Sequence, residues 1–418
     1  MATQKRWPST FEALWRALFP FGQGNITRLA LAYFFSTLYF YIPVGTLYLR
    51  SKSLTYVQIN SLWGIIVFTM FLSEVPTGIL ADRIGRKRAV NAALGLQLLG
   101  EVIYVFARGY PGFILAAVAG GLGFAFSSGC IEALVYDALQ AEGREKEMNK
   151  AMGTIEAAQR LANLLAFPVG GLLARNLTQE RFVVAIVATA CAVAAGFLIS
   201  LALRESRDGR PGVERPASLE LLADGVRLLR QNRVFRALVL LSLATIPFRD
   251  YLGSLYQPHF VQAGVPAVWF GLALALASAL SALGARYAYW LEERLGTRAS
   301  LLLVTALPGI LYLVMAAVSH PVLSVVIFCA LYASMSLKAP LFAGQLNAHI
   351  ASESRATVLS LISMLSGLYV SAMGLLIGHI ADASVSHALA ATGLVVLAGA
   401  LLLQVKEPES QLPQAGRI

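Results

Sequence analysis

The sequence predicts an all-α membrane protein, with twelve transmembrane helices in two pseudo-symmetric six-helix bundles. Composition is the first reason. Hydrophobic residues make up 57% of the 418 and charged residues 13%, against roughly 25% charged in an average soluble domain. A soluble chain of this length could not cover its surface. The second reason is length: a bilayer-crossing helix needs about 20 apolar residues, and apolar windows of that size recur between charge clusters along the chain. The third is charge placement. Of the 33 Lys and Arg, most fall in alternate connections between windows, as expected when cytoplasmic loops retain the positive charge. No strand-period alternation runs long enough for a membrane barrel, and the hydrophobicity excludes intrinsic disorder.

The windows of the first half are 27–49, 57–80, 89–107, 111–138, 149–173 and 181–203. Those of the second are 235–258, 267–290, 299–318, 321–342, 356–379 and 385–405. The expected organisation is a cytoplasmic N-terminal amphipathic segment (1–26), a six-helix bundle (27–203), a cytoplasmic linker (204–233), a second bundle (234–405) and a cytoplasmic tail (406–418). Ser9-Thr10-Phe11-Glu12 has capping-box spacing. Phe11, Leu14, Trp15, Leu18 and Phe19 then follow a helical period beside Lys5, Arg6 and Arg16, the pattern of an interfacial helix. In the linker, Ser218 precedes Leu219, Leu222, Val226 and Leu229 on one helical side. The bias of Lys and Arg places both termini in the cytoplasm, and the chain is expected in the inner (plasma) membrane. No cleavable signal peptide is expected, because the first apolar run continues directly into the spans. Cys130, Cys191 and Cys329 lie far apart in apolar stretches without metal-ligand spacing, so no disulfide, metal or other cofactor is expected.

The second and third windows are joined by Gly78-Ile79-Leu80-Ala81-Asp82-Arg83-Ile84-Gly85-Arg86-Lys87-Arg88. This resembles the signature loop of the major facilitator superfamily, GxLADRxGRK, in its expected place. The resemblance implies two related six-helix halves that rock to give alternating access to a central cavity. Independently of it, Gly78 suits close helix packing, Gly85 a tight reversal, and the basic residues contact with anionic headgroups. Asp82 is an acid at a helix end, and the start of window 11, Arg355-Ala356-Thr357, offers a helix N-terminus and a cation to hold it. Asp82 and Arg355 are expected to latch the cytoplasmic side. Asp137 looks like the partner of Arg86, as in related transporters. A shift of 211 residues lays Glu293-Arg294-Leu295-Gly296 on Asp82-Arg83-Ile84-Gly85, a degenerate second copy, with the Arg144 region as the corresponding partner of Glu293. The family's antiporter core GPxxGG is here Phe167-Pro168-Val169-Gly170-Gly171, and window 4 lacks the Arg many efflux members carry.

Ionisable groups at membrane depth cost about 2.5–3.5 kcal/mol on insertion scales and mark function by default. Glu156, Gln159, Arg160 and Asn163 form one polar stripe on window 5. Glu132, Glu156 and Arg160 are expected to build one buried network, either a proton carrier or a static bridge. Arg249 and Asp250 on window 7, followed by Tyr256, Gln257 and His259, line either the substrate cavity or an outer gate. Glu74 and Glu101 are further carboxylate candidates. Arg286 and Lys338 are expected to snorkel to the surface. Tyr33, Ser36, Thr37 and Phe40 offer an aromatic and polar wall on window 1, and Tyr33 and Thr37 are the cavity candidates there. Ser360, Ser363, Ser366, Gly367 and Ser371 suit close helix contact.

No Walker loop, HExxH, GxSxG or EF-hand spacing occurs, and no filter loop signals a channel. The expected function is secondary active transport of an amphipathic small organic molecule, as proton-coupled efflux. The alternative is import or facilitated passage of a zwitterionic or anionic nutrient, or export of a siderophore or metabolite. The expected partners are that small-molecule substrate, protons and membrane lipids; nucleic acid is not expected, and the chain is expected to be a monomer and not an enzyme.

Overall fold

A computed structural model describes residues 21–22, 24–205, 230–245, 248–348, 350 and 355–403, and within these the side chains of 248–250, 356–357 and 360 are not described. The expected N-terminal amphipathic helix, the helix after Ser218 and the C-terminal tail lie outside the described residues. In chain order the α-helices are α1 (Asn25–Ser36), α2 (Gly45–Ser51), α3 (Tyr56–Ile84), α4 (Arg86–Phe106), α5 (Tyr110–Ser127), α6 (Cys130–Gln140), α7 (Met148–Leu173) and α8 (Gln179–Leu201). They continue as α9 (Arg233–Thr245), α10 (Phe248–Gln262), α11 (Val268–Ala317), α12 (Pro321–Ser336), α13 (Lys338–Ala348), α14 (Arg355–Ala383) and α15 (Val385–Leu402). No strand occurs among the described residues, and eight helical stretches there are long and apolar enough to cross a membrane.

Two compact units divide the described residues, one drawn from Met1–Val44 and Ile65–Glu214, the other from Gly45–Gly64 and Arg215–Ile418. Gly45–Gly64 comes from the first six windows yet packs with the second unit, and polar contacts explain why. Thr46 and Leu47 donate their backbone N–H groups to Gln257 Oε1 on α10 at 2.9 and 3.3 Å. Tyr56 and Val57 donate theirs to the Asp382 carboxylate at the end of α14, at 2.7 and 3.3 Å. Asn60 Nδ2 donates to the Gly374 carbonyl at 3.0 Å, and Gly64 lies against Ser371, one of the small residues read as a contact face.

In the first unit, α1 stops at Ser36 and the chain resumes as a short 3-10 turn, Ile42–Val44. The irregular stretch between them is tied to three helices. The Phe40 N–H donates to Thr189 Oγ1 of α8 at 2.9 Å, and the Tyr41 hydroxyl donates to Glu101 Oε1 of α4 at 3.2 Å. The Phe40 carbonyl lies so close to Gly170 of α7 that any Cβ there would overlap it. Beneath, Leu29, Val90, Leu94, Leu134, Val135 and Ile155 build a buried apolar core.

The second unit repeats the first unit's logic. Its core joins α9, α11, α13 and α14 through Phe235, Leu238, Val304, Phe342 and Val358. The 50-residue α11 is two helices joined at Gly296, with φ +76 and ψ +163. Gly85, 211 residues earlier, joins α3 to α4 with φ +95 and ψ +151. That region excludes residues with a Cβ, so both copies of the loop need glycine. The backbone conformation thus preserves a repeat that is degenerate in side chains.

Gly170→Ala is expected to destabilise by about 1–3 kcal/mol, because the atom it meets is backbone and cannot swing away. Gly153→Ala on the same helix meets no atom within 4 Å and is expected to be neutral or stabilising by up to about 1 kcal/mol. Thermal unfolding of the two purified variants in detergent checks this; equal melting temperatures would refute the packing.

Candidate functional site

The signature loop is held from α6. Arg86, in the first turn of α4, forms an ion pair with Asp137 and donates from Nη1 to the Ala133 carbonyl at 3.0 Å. The Lys87 N–H donates to Glu205 Oε1 at 3.3 Å, and the same carboxylate lies against Gly85. Asp82 and Arg83 are exposed, and so is Arg355 at the start of α14. The close-packing role expected for Gly78 is not found: the glycine is exposed and nothing lies within 4 Å of the place a Cβ would take.

Arg144, in the turn between α6 and α7, is engaged within its own loop. Its guanidinium donates to both oxygens of Glu147 at 2.8 and 3.1 Å and to Glu142 at 2.9 Å. These bonds, Glu147 first, hold Arg144 more firmly protonated than usual. The Arg144 bonds also hold the Glu147 carboxyl below the usual carboxylate range, helped by Lys150.

The polar stripe of α7 corrects an expectation. Arg160 and Glu156 do pair, at 3.6 Å, but their side chains are 74% and 64% exposed, and Glu132 is exposed too. The buried face of α7 is formed instead by Ala151, Thr154, Ile155, Ala158, Ala162 and Ala166. Small residues let α7 pack tightly there, which turns the long charged side chains outward. Gln159 and Asn163 are half-buried beside them. On the same unit, Ser128 Oγ donates to Glu74 Oε1 at 3.3 Å where Gly129, φ +73, breaks α5 from α6, and Glu132 falls in the first turn of α6.

Tyr33 also departs from its expected place in a cavity wall. It is buried in the first unit's core, its hydroxyl 3.2 Å from Ser127 Oγ, while Thr37 caps the end of α1 half-buried. In the second unit Arg249 and Asp250 occupy the first turn of α10, and their side chains lie outside those described. Tyr256 packs among Phe260, Phe270 and Phe328, and His259 Nε2 lies 3.2 Å from Ser324 Oγ. Arg286 is exposed, but Lys338 does not snorkel. It is 7% exposed, with Nζ bonded to the Ser242 carbonyl at 2.9 Å and to Thr245 Oγ1, and its ammonium over the Phe342 ring. These oxygens close the C-terminal end of α9, where a cation is favoured by the helix dipole. The break between α12 and α13 carries the lysine there, and hydropathy gave no sign of that break. No cluster of His, Cys, Asp or Glu able to hold a metal occurs among the described residues.

Among the described residues, all-helical units with eight stretches long and apolar enough to cross a membrane define the class, a polytopic helical membrane protein. Residues 29–375 match the family model of the Major Facilitator Superfamily, and the chain belongs to that family as a transporter. Over 248 residues it is 26% identical to the inner membrane transport protein YajR of Escherichia coli (strain K12), covering 59% of this chain and 51% of that one. The match thus spans about half the length of the curated relative. Among solved structures, the nucleoside transporter NupG superposes with a TM-score of 0.72 at 14% identity, covering 91% of this chain and 97% of that one. A bacterial homolog of the human lysosomal transporter Spinster gives 0.69 at 17% identity, over 90% and 93%. The peptide transporter POT gives 0.69 at 15% identity, over 92% and 94%. At these identities the structures share the fold.

Glu147 contributes stability that is full above the ordinary glutamate value of about 4.3 and is lost as the pH falls through its lowered folded value. Glu147→Gln is therefore expected to lower the melting temperature slightly at pH 7 and to leave it unchanged in strong acid, which thermal unfolding across pH checks.

Proposed function

We propose that this transporter moves an amphipathic small organic molecule outward by alternating access, in exchange for protons. It works as a monomer in the inner membrane, with twelve spans in bundles 27–203 and 234–405 and both termini cytoplasmic. The bias of Lys and Arg supports the orientation, and YajR is itself described as an inner membrane protein.

One observation carries the transport reading: the exposed Glu156–Arg160 pair halfway along α7. Arg160 is about 20 Å from either end of the 26-residue helix at 1.5 Å per residue. An exposed pair of this kind contributes about 0–1 kcal/mol, whereas each charge against hydrocarbon costs about 2.5–3.5 kcal/mol. The pair therefore faces water or a ligand rather than lipid. With Glu132, and with Glu74 beside Ser128, it gives the first unit a polar wall for the transport path. Arg249, Asp250 and Thr37 are assigned to the same path.

Asp82 and Arg355 act as the cytoplasmic latch, supported by their exposure at helix ends, while Arg86 and Asp137 keep the signature loop in place. A second reading, passage of a zwitterionic nutrient, is favoured by the presence of both signs of charge in the Glu156–Arg160 pair.

Purified protein in liposomes with an imposed pH gradient, tested against cationic, anionic and zwitterionic compounds, separates these readings. Accumulation driven by the gradient is expected for an amphipathic compound. Glu156→Gln and Arg160→Gln should each reduce its transport at least tenfold, and Asp82→Asn should slow turnover with normal expression. Transport indifferent to the gradient would replace exchange with facilitated passage, and full activity in Glu156→Gln would remove the pair from the path.

A further inference from the structure

Glu101 lies on α4 five residues before its end at Phe106 and is 8% exposed. Oε1 accepts the Tyr41 hydroxyl at 3.2 Å, while Oε2 is buried and finds no hydrogen-bond partner among the described residues. Aromatic rings surround this end of the helix. Tyr41 stacks on Tyr104 at 5.1 Å, Tyr39 stands edge-on to Tyr41 at 5.8 Å, and Tyr104 meets Phe113 of α5 at 5.0 Å.

The helices packed on α4 supply no counter-ion. α5 carries no Asp, Glu, Lys, Arg or His. α8 carries Glu180 and Arg181, both exposed, in its first turn. On α6, Glu132 is exposed and Asp137 is taken by Arg86. The cations of α4 itself, Arg86, Lys87 and Arg88, stand at its opposite end, and Arg108, two residues beyond its near end, is exposed. An ionised carboxylate placed here would be a buried charge without a partner, which is far less favourable than a neutral acid. A metal cation would look for roughly six oxygens, and this cage presents one carboxylate, tyrosine hydroxyls and ring faces.

We propose that Glu101 is the proton-binding site of the transport cycle, occupied by a proton while Tyr41 caps it. This rests on the proton-coupled reading above and replaces Glu132 and Glu156 as the group that titrates. Hydronium gives one proton to the ionised carboxylate at Oε2: its O–H bond breaks as the carboxylic O–H bond forms, water is left behind, and release to water reverses the step. Tyr41 belongs to the irregular stretch that also contains Thr37 and is pinned through Phe40 to Thr189 and Gly170. The contacts of Phe40 and Tyr41 keep the neutral acid enclosed, and movement of the stretch uncovers it for release.

Infrared difference spectra of the full-length protein in lipid nanodiscs, titrated with base, read the proton directly. Wild type is expected to lose a carboxylic C=O band. Glu101→Gln should lack that band, and Tyr41→Phe and Glu101→Asp should retain one, so that a folding defect in the glutamine variant is recognised. In the liposome assay, Glu101→Gln should lose at least tenfold of the gradient-driven component. A titrating band unchanged in Glu101→Gln overturns the assignment, as does a gradient response equal to that of wild type. Wild type indifferent to the gradient would instead overturn the proton-coupled reading on which the assignment rests.

Discussion

Backbone polar groups inside an apolar environment must find partners within the protein, because lipid supplies none. The first unit meets this constraint at its most irregular place. The stretch after α1 leaves helical geometry, and Thr189 accepts the orphaned Phe40 N–H. Gly170 admits the carbonyl of the same residue, while Tyr41 reaches Glu101. A broken helix, an aromatic cage and a buried acid are consequences of one local solution. The second unit solves the same problem at α9 with Lys338, whose ammonium takes up the Ser242 carbonyl and Thr245 hydroxyl.

Charge placement follows a matching rule. Where a charged side chain has oxygen or carboxylate partners at close range, as Arg86 and Lys338 do, it is partly or fully enclosed. Where the partner is one turn away on the same helix, as with Glu156 and Arg160, the pair stays exposed. The pair's modest attraction cannot offset the desolvation of two ions. Enclosed ions thus hold the scaffold, and the exposed Glu156–Arg160 pair is the one we assign to the transport path.

Much of the fold was legible in the sequence, since apolar windows and turn residues are local signals. The 211-residue repeat could be read from Asp82-Arg83-Ile84-Gly85 and Glu293-Arg294-Leu295-Gly296 because both loops need glycine at the same left-handed joint. The candidate site was less legible. Periodicity placed Glu156 and Arg160 on one face, yet it could not say which face packs, since alanines on the other side make the tighter contact. Tyr33, expected in a cavity wall, lies in the core, where Ser127 meets its hydroxyl from another helix.

What the sequence determined by itself is the helical membrane class, the family and the glycine joints, all of which depend on residues near one another in the chain. Tertiary structure decided which ionisable groups are enclosed, and that Gly45–Gly64 packs with helices from the other half of the sequence. Burial and counter-ions are set by side chains hundreds of positions apart, such as Gln257 meeting Thr46. No pattern within a single window encodes that distance.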